Sequence, residues 1–67
     1  MSIVKVIEVL AQSPKGWEDA ANQALAEAGR SVNNIENIYI KEFQAIVEDN
    51  KITQYRVNAK ISFVVEK

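Results

Sequence analysis

The sequence predicts an α+β fold of order β-α-β-β, with a three-stranded antiparallel sheet wrapped around one amphipathic helix. Three observations predict it. From Ile52 to Glu66 the chain alternates, with Tyr55, Val57, Ala59, Ile61, Phe63 and Val65 on one side and Gln54, Arg56, Asn58, Lys60 and Ser62 on the other. Such period-two alternation of β-branched and aromatic residues marks a strand with one buried face. Upstream, Trp17, Ala20, Ala21, Ala24, Leu25, Ala28 and Val32 recur at three- and four-residue intervals, the spacing of a helix with one apolar stripe. Between the two, Asn37 to Val47 also alternates, but changes phase midway.

The elements follow in order. Ile3 to Ala11 is the first strand, and both of its faces are largely apolar. A strand buried on both faces belongs to a covered sheet. One helix covers only one face, so the other is expected to meet another subunit. Ser13 is then the expected N-cap, with Pro14 at the first helical position, where its missing N–H costs nothing. Glu18 and Asp19 complement the helix dipole. Asn22, Gln23, Glu27 and Arg30 lie opposite the alanine-rich stripe, Gly29 weakens the last turn, and Asn33-Asn34 mark the exit. In the second strand Ile38 and Ile40 are apolar at even positions, then Phe43, Ala45 and Val47 at odd ones, which predicts a bulge near Lys41-Glu42. For Phe43, Ala45 and Val47 to share a face with Tyr55 and Val57, the hairpin loop needs an odd number of residues. Glu48-Asp49-Asn50, with Asn50 left-handed, meets that requirement. The last strand outruns the usual ~5–6 residues and is expected to be the central rib, slotted between the other two.

With 67 residues, one domain spanning 1–67 is expected. A chain this short buries only about 60% of the surface its unfolded form exposes. It has no cysteine and no histidine, so disulfides and histidine- or thiolate-bound zinc are excluded as staples. Yet 48% of the residues are hydrophobic, and oligomerisation is the remaining outlet for that surplus. Lys5 and Glu8 interrupt the first apolar run, and no segment reaches the ~20 apolar residues of a membrane span, so a cytoplasmic protein is expected. A net charge of −1 without a basic cluster argues against nucleic acid and membrane surfaces as partners.

Catalysis has little to stand on. The usual nucleophile–base pairs need histidine or cysteine, and no glycine-rich phosphate loop is present, so the expectation is that the protein is not an enzyme. Glu18-Asp19 reads as dipole complement, or else as an oxygen-rich cation site. Glu48-Asp49-Asn50 reads as a turn, or else as a weak calcium site without EF-hand spacing. Trp17 reads as core packing, or else as a plate for a ligand. Tyr39 is either edge-strand filler or a ligand or interface contact. Arg56, flanked by Gln54 and Asn58 on the polar face, is either solvated or, if subunits enclose it, partnered by an anion, carboxylate or carbonyl.

Val-Ile-Glu-Val near the start, Ser-Pro-x-x-Trp opening an alanine-rich helix, Ser-Val closing it, and Tyr-Arg-Val…Ser-Phe in the last strand together resemble the dodecins, over essentially the whole chain. The resemblance implies a homododecamer forming a hollow sphere, and the binding of flavins such as riboflavin and FMN in stacked pairs near subunit interfaces, for storage rather than catalysis. It also implies an altered site. The position of the flavin-stacking tryptophan falls on Asn37, and that of the glutamine at the ring's pyrimidine edge falls on Arg56. Tyr39, two residues on and on the same face as Asn37, is a substitute plate. Trp17 and Tyr55-Arg56 look like the calcium dodecins, which lack the flavin tryptophan, though no calcium ligands can be named. The ligand-binding candidates are therefore Asn37, Tyr39 and Arg56, with flavin, calcium or no cofactor left open.

Overall fold

In the computed structural model residues 3–65 are described. They form β1 (Ile3–Ser13), α1 (Trp17–Ala28), β2 (Ile35–Glu48) and β3 (Lys51–Val65). The sheet order is β1-β3-β2, with β3 antiparallel to both neighbours, so the long alternating stretch is the central rib. Its expected last residue, Glu66, lies outside the described residues.

Alternation decides which way β3 faces. Val57, Ala59 and Ile61 are all buried against the helix. On α1, Ala20, Ala24 and Ala28 are buried too; Ile7, Val9, Ala11, Leu25, Val32, Ile35 and Ile38 close in around Ala24, Ala28 and Ile61. Three alanines in line let the helix backbone lie close to the twisted sheet. The cost is volume, since Ile61 and Val57 are the largest apolar side chains fully buried. Each such side chain contributes about 1.5–3 kcal/mol, so this core is thin.

The helix starts later than the sequence suggests. Ser13 is the last residue of β1, and the N-cap is Gly16, at φ 155, a conformation that side-chain-bearing residues rarely adopt. Ser13 still serves the helix start at one remove. Fully buried, its hydroxyl accepts the Lys15 amide at 3.0 Å and donates to Asp19 Oδ2 at 2.6 Å. Gln23 donates to the same oxygen at 2.8 Å. The Ser13 hydroxyl, then the Gln23 amide, hold the Asp19 carboxyl below its ordinary value of 3.8. Beyond Ala28 the chain tightens, with Ser31 and Val32 amides both reaching the Ala28 carbonyl, and turns at left-handed Asn34 (φ 65). Val32 thus packs on the core from the exit loop, after the helix has ended.

The second strand carries the expected irregularity. Ile40 pairs with Ala59 but Glu42 with Asn58, leaving Lys41 as the extra residue. The sequence did not flag a second shift, in which Ile35 pairs with Phe63 and Asn37 with Ser62 around Glu36. The hairpin corrects the loop expectation. Glu48 pairs with Lys51, so the turn is the two-residue Asp49-Asn50, with both residues left-handed at φ 52 and 60. That is the geometry whose twist suits a hairpin. Phe43 does oppose Val57, and Ala45 opposes Tyr55, as parity demands. The odd residue sits in β3 instead, at Thr53, between the pairs Ile46–Gln54 and Val47–Ile52. Its hydroxyl donates to the Ile46 carbonyl at 3.3 Å.

Two outcomes follow. Ala24→Leu overfills the helix–sheet seam and should cost about 1–3 kcal/mol, whereas Ala26→Leu, exposed on the helix's outer side, should be nearly neutral. Thermal melts at one protein concentration compare the two. For Asp19, a lowered folded pKa means its contribution is complete above 3.8 and is lost as the pH falls below that value through the folded one. Acidification should therefore lower the melting temperature of the wild type more than that of Ser13→Ala, which has already lost the main hydrogen bond. Equal acid sensitivity in the two would count against this account.

Candidate functional site: the convex face of the sheet

With the odd residues of β1 and β3 turned to the helix, the even ones face away from it. Register then builds this convex face in rows across the sheet: Gln12–Arg56–Gln44, Leu10–Asn58–Glu42, Glu8–Lys60–Tyr39 and Val6–Ser62–Asn37. The centre is a polar rib on β3. On β1 it is flanked by Val4, Val6 and Leu10, which are 52%, 54% and 65% exposed. These are the residues expected to meet another subunit.

Arg56 has a partner within its own chain. Its Nε donates to Gln12 Oε1 on β1 at 2.9 Å. Lys41, thrown out by its bulge, reaches across the central strand to Glu8 at 3.6 Å. Both groups are half-exposed, so this pair orients more than it stabilises. Between them, the Asn58 amide oxygen is shielded from water and accepts no hydrogen bond among the described residues. Gln12, Lys41, Glu8 and Asn58 are not among the binding candidates that the sequence offers. Cross-strand register is what brings them together.

Asn37 and Tyr39 do share this face, as expected, and Tyr39 is 62% exposed. Arg56 stands apart from them. Its row lies four residues along β3 from that of Tyr39 and six from that of Asn37, about 13 and 20 Å at strand rise. Within one chain, the three candidates do not converge on one small ligand.

Trp17 lies on the other, concave side. Its indole N–H donates to the Gln44 main-chain oxygen at 2.9 Å. Its ring meets Tyr55 edge-on at 4.9 Å and Phe43 at 5.8 Å. At 37% exposure it is a clasp between helix and hairpin rather than an enclosed core residue. Beyond it Phe43, Val47 and Ile52 stay open to solvent. Between α1 and β1 runs a groove of about 460 Å³, floored by Ile7, Val9, Ala11, Ala24 and Ala28 and rimmed by Gln23. No group of three acidic residues able to hold a metal occurs among the described residues. In particular the Asp19 carboxylate, half of the Glu18-Asp19 pair, is occupied by Ser13 and Gln23. No helix is long and apolar enough to cross a membrane.

Comparison with known proteins gives these features a setting. A family model described as Dodecin matches residues 3–66. The calcium dodecin of Mycobacterium tuberculosis is 39% identical over 64 residues, covering 94% of this chain and 89% of that protein. A crystal structure of that calcium dodecin, described as calcium-chelating and as having a novel calcium-binding site, superposes with a TM-score of 0.84 at 31% identity, covering 96% and 91% of the two chains. A single-site variant of the Thermus thermophilus dodecin superposes with a TM-score of 0.94 over 100% of both chains; at 24% identity, that likeness speaks for the fold.

The clasp is testable. Trp17→Phe keeps a ring but loses the bond to Gln44, and should cost about 0.5–1.5 kcal/mol. Trp17→Ala also loses both edge-to-face contacts and should cost a further ~1–3 kcal/mol. Equal melting temperatures for the two variants would mean that the ring contacts contribute nothing.

Proposed function

The chain belongs to the dodecin family, and from that premise we propose that it is a non-catalytic homododecameric cage that binds a small ligand, its flavin site altered by Asn37. The observation that carries this reading is the convex face. A lone copy leaves Val4, Val6 and Leu10 in water on this face. That apolar margin leaves water when other copies cover the face. Asn37 and Tyr39 then border the junction between copies, and Arg56, too distant within its own chain, acts on a ligand held by a neighbour.

Asn37 offers amide groups where flavin binding calls for an aromatic plate. Native mass spectrometry is expected to give a twelve-copy species, and riboflavin fluorescence to be only weakly quenched by the wild type. Asn37→Trp restores a stacking face and should tighten riboflavin binding about two- to tenfold. Strong quenching by micromolar wild-type protein would overturn the altered-site reading, and a single-chain species would overturn the cage.

The 39% identity to a calcium dodecin favours a second reading, in which the assembly binds calcium. No acidic triad lies within the described residues of one chain, so the ion would sit where copies meet. Calorimetry with calcium against a chelator-treated control decides it: no heat and no change in melting temperature removes this reading.

A further inference from the structure

The two free edges of the sheet are not equivalent. The outer edge of β2 is interrupted at Glu36 and Lys41, where extra residues break the regular run of backbone groups. A charge at one of these interruptions, Glu36, guards it further. The pairing of β1 with β3, by contrast, runs without a shift from Ile3–Val65 to Ser13–Tyr55. Its other edge therefore presents outward N–H and C=O groups at every second residue, unpaired among the described residues. No proline or bulge blunts that edge. On the helix side it borders the open groove rather than a packed wall.

We infer that β1 pairs through this edge with β1 of a second copy, antiparallel, with Ile7 opposite itself, joining two sheets into one. This rests on the self-association proposed above and names the contact. The partner follows from self-complementarity. About a two-fold axis normal to the sheet, opposed residues lie on the same face and so have the same parity. Centring the pair on Glu8 opposes two carboxylates, which is unfavourable. Centring it on Val9 leaves Val4 without an opposing residue and sets Val6 against Gln12. Centring it on Ile7 opposes Val4 with Leu10, Ile3 with Ala11, Lys5 with Val9 and Val6 with Glu8, with no like charges facing. The exposed stripe of each copy then continues into that of the other, and the two helices lie on the same side of the joined sheet.

Hydrogen exchange on the assembled wild-type protein reads this directly. Paired on both edges, successive amides from Val4 to Leu10 should all be slow, about tenfold or more slower than the outward amides of β2. Alternating fast and slow amides along β1, in a sample that native mass spectrometry shows to be assembled, would overturn this contact and leave self-association standing. A single-chain species would remove both. The register has its own test: under mild oxidation Ile7→Cys should link two copies at least about tenfold faster than Val9→Cys, since only a residue on the axis has disulfide geometry with itself. The reverse order would overturn the Ile7 register. If either variant fails to assemble, exchange on the wild type decides.

Discussion

One helix has too little length for the strand it must cover. The twelve residues of α1 span about 18 Å, whereas the fifteen of β3 extend to about 50 Å. The long dimension of the molecule, 51 Å, is that of the strand. Roughly a third of the rib's length can be buried, on one face only, and the rest of the architecture answers to this shortfall. The buried stretch Val57–Ala59–Ile61 is where the three alanines of the helix reach. Beyond it, at the hairpin, Trp17 extends the helix's grip by one aromatic side chain, and past that ring the apolar residues stand in water.

The same limit explains how polar and apolar residues divide on the two faces. The helix stripe is alanine-rich because a larger one would lift the helix off the sheet. The convex side combines a polar rib with an apolar margin. Such a surface is poor as a permanent exterior, because the margin gains nothing from water. It is equally poor as a core, because Arg56, Lys60 and Asn58 need partners. It suits a junction between copies, where an apolar border excludes water and the rib orients what lies between.

Much of this was legible in the residues, for reasons that can be separated. Element order, the central position of β3 and the bulge at Lys41 all come from alternation, which records which side faces the core. Parity also held, in that Phe43 does oppose Val57. Parity counts residues but does not locate the odd one, and the structure places it at Thr53 while the turn keeps two left-handed residues. The helix start was misplaced because Ser13 has the chemistry of a cap: its hydroxyl does take the amide two residues on, at Lys15, but the chain enters the helix only after Gly16. The convex face was less legible. Arg56 was singled out for its charge, but its partner Gln12 lies 44 residues away in sequence and only register connects them. Asn37 and Tyr39 were placed on one face correctly, while their distance from Arg56 needed the pairing of three strands.

The pairing of β1 with β3 also sets the order of events when the chain folds. Ile3 lies against Val65, so the first and last described residues are neighbours in space. The β2–β3 hairpin closes over a two-residue turn and can form within microseconds. Even at its near end, where Ser13 meets Tyr55, the β1–β3 ladder joins residues far apart in the sequence, which makes it the slow step. β1 and the helix therefore wait for the rib, and the apolar first strand stays unprotected until β3 has been made and docked against it.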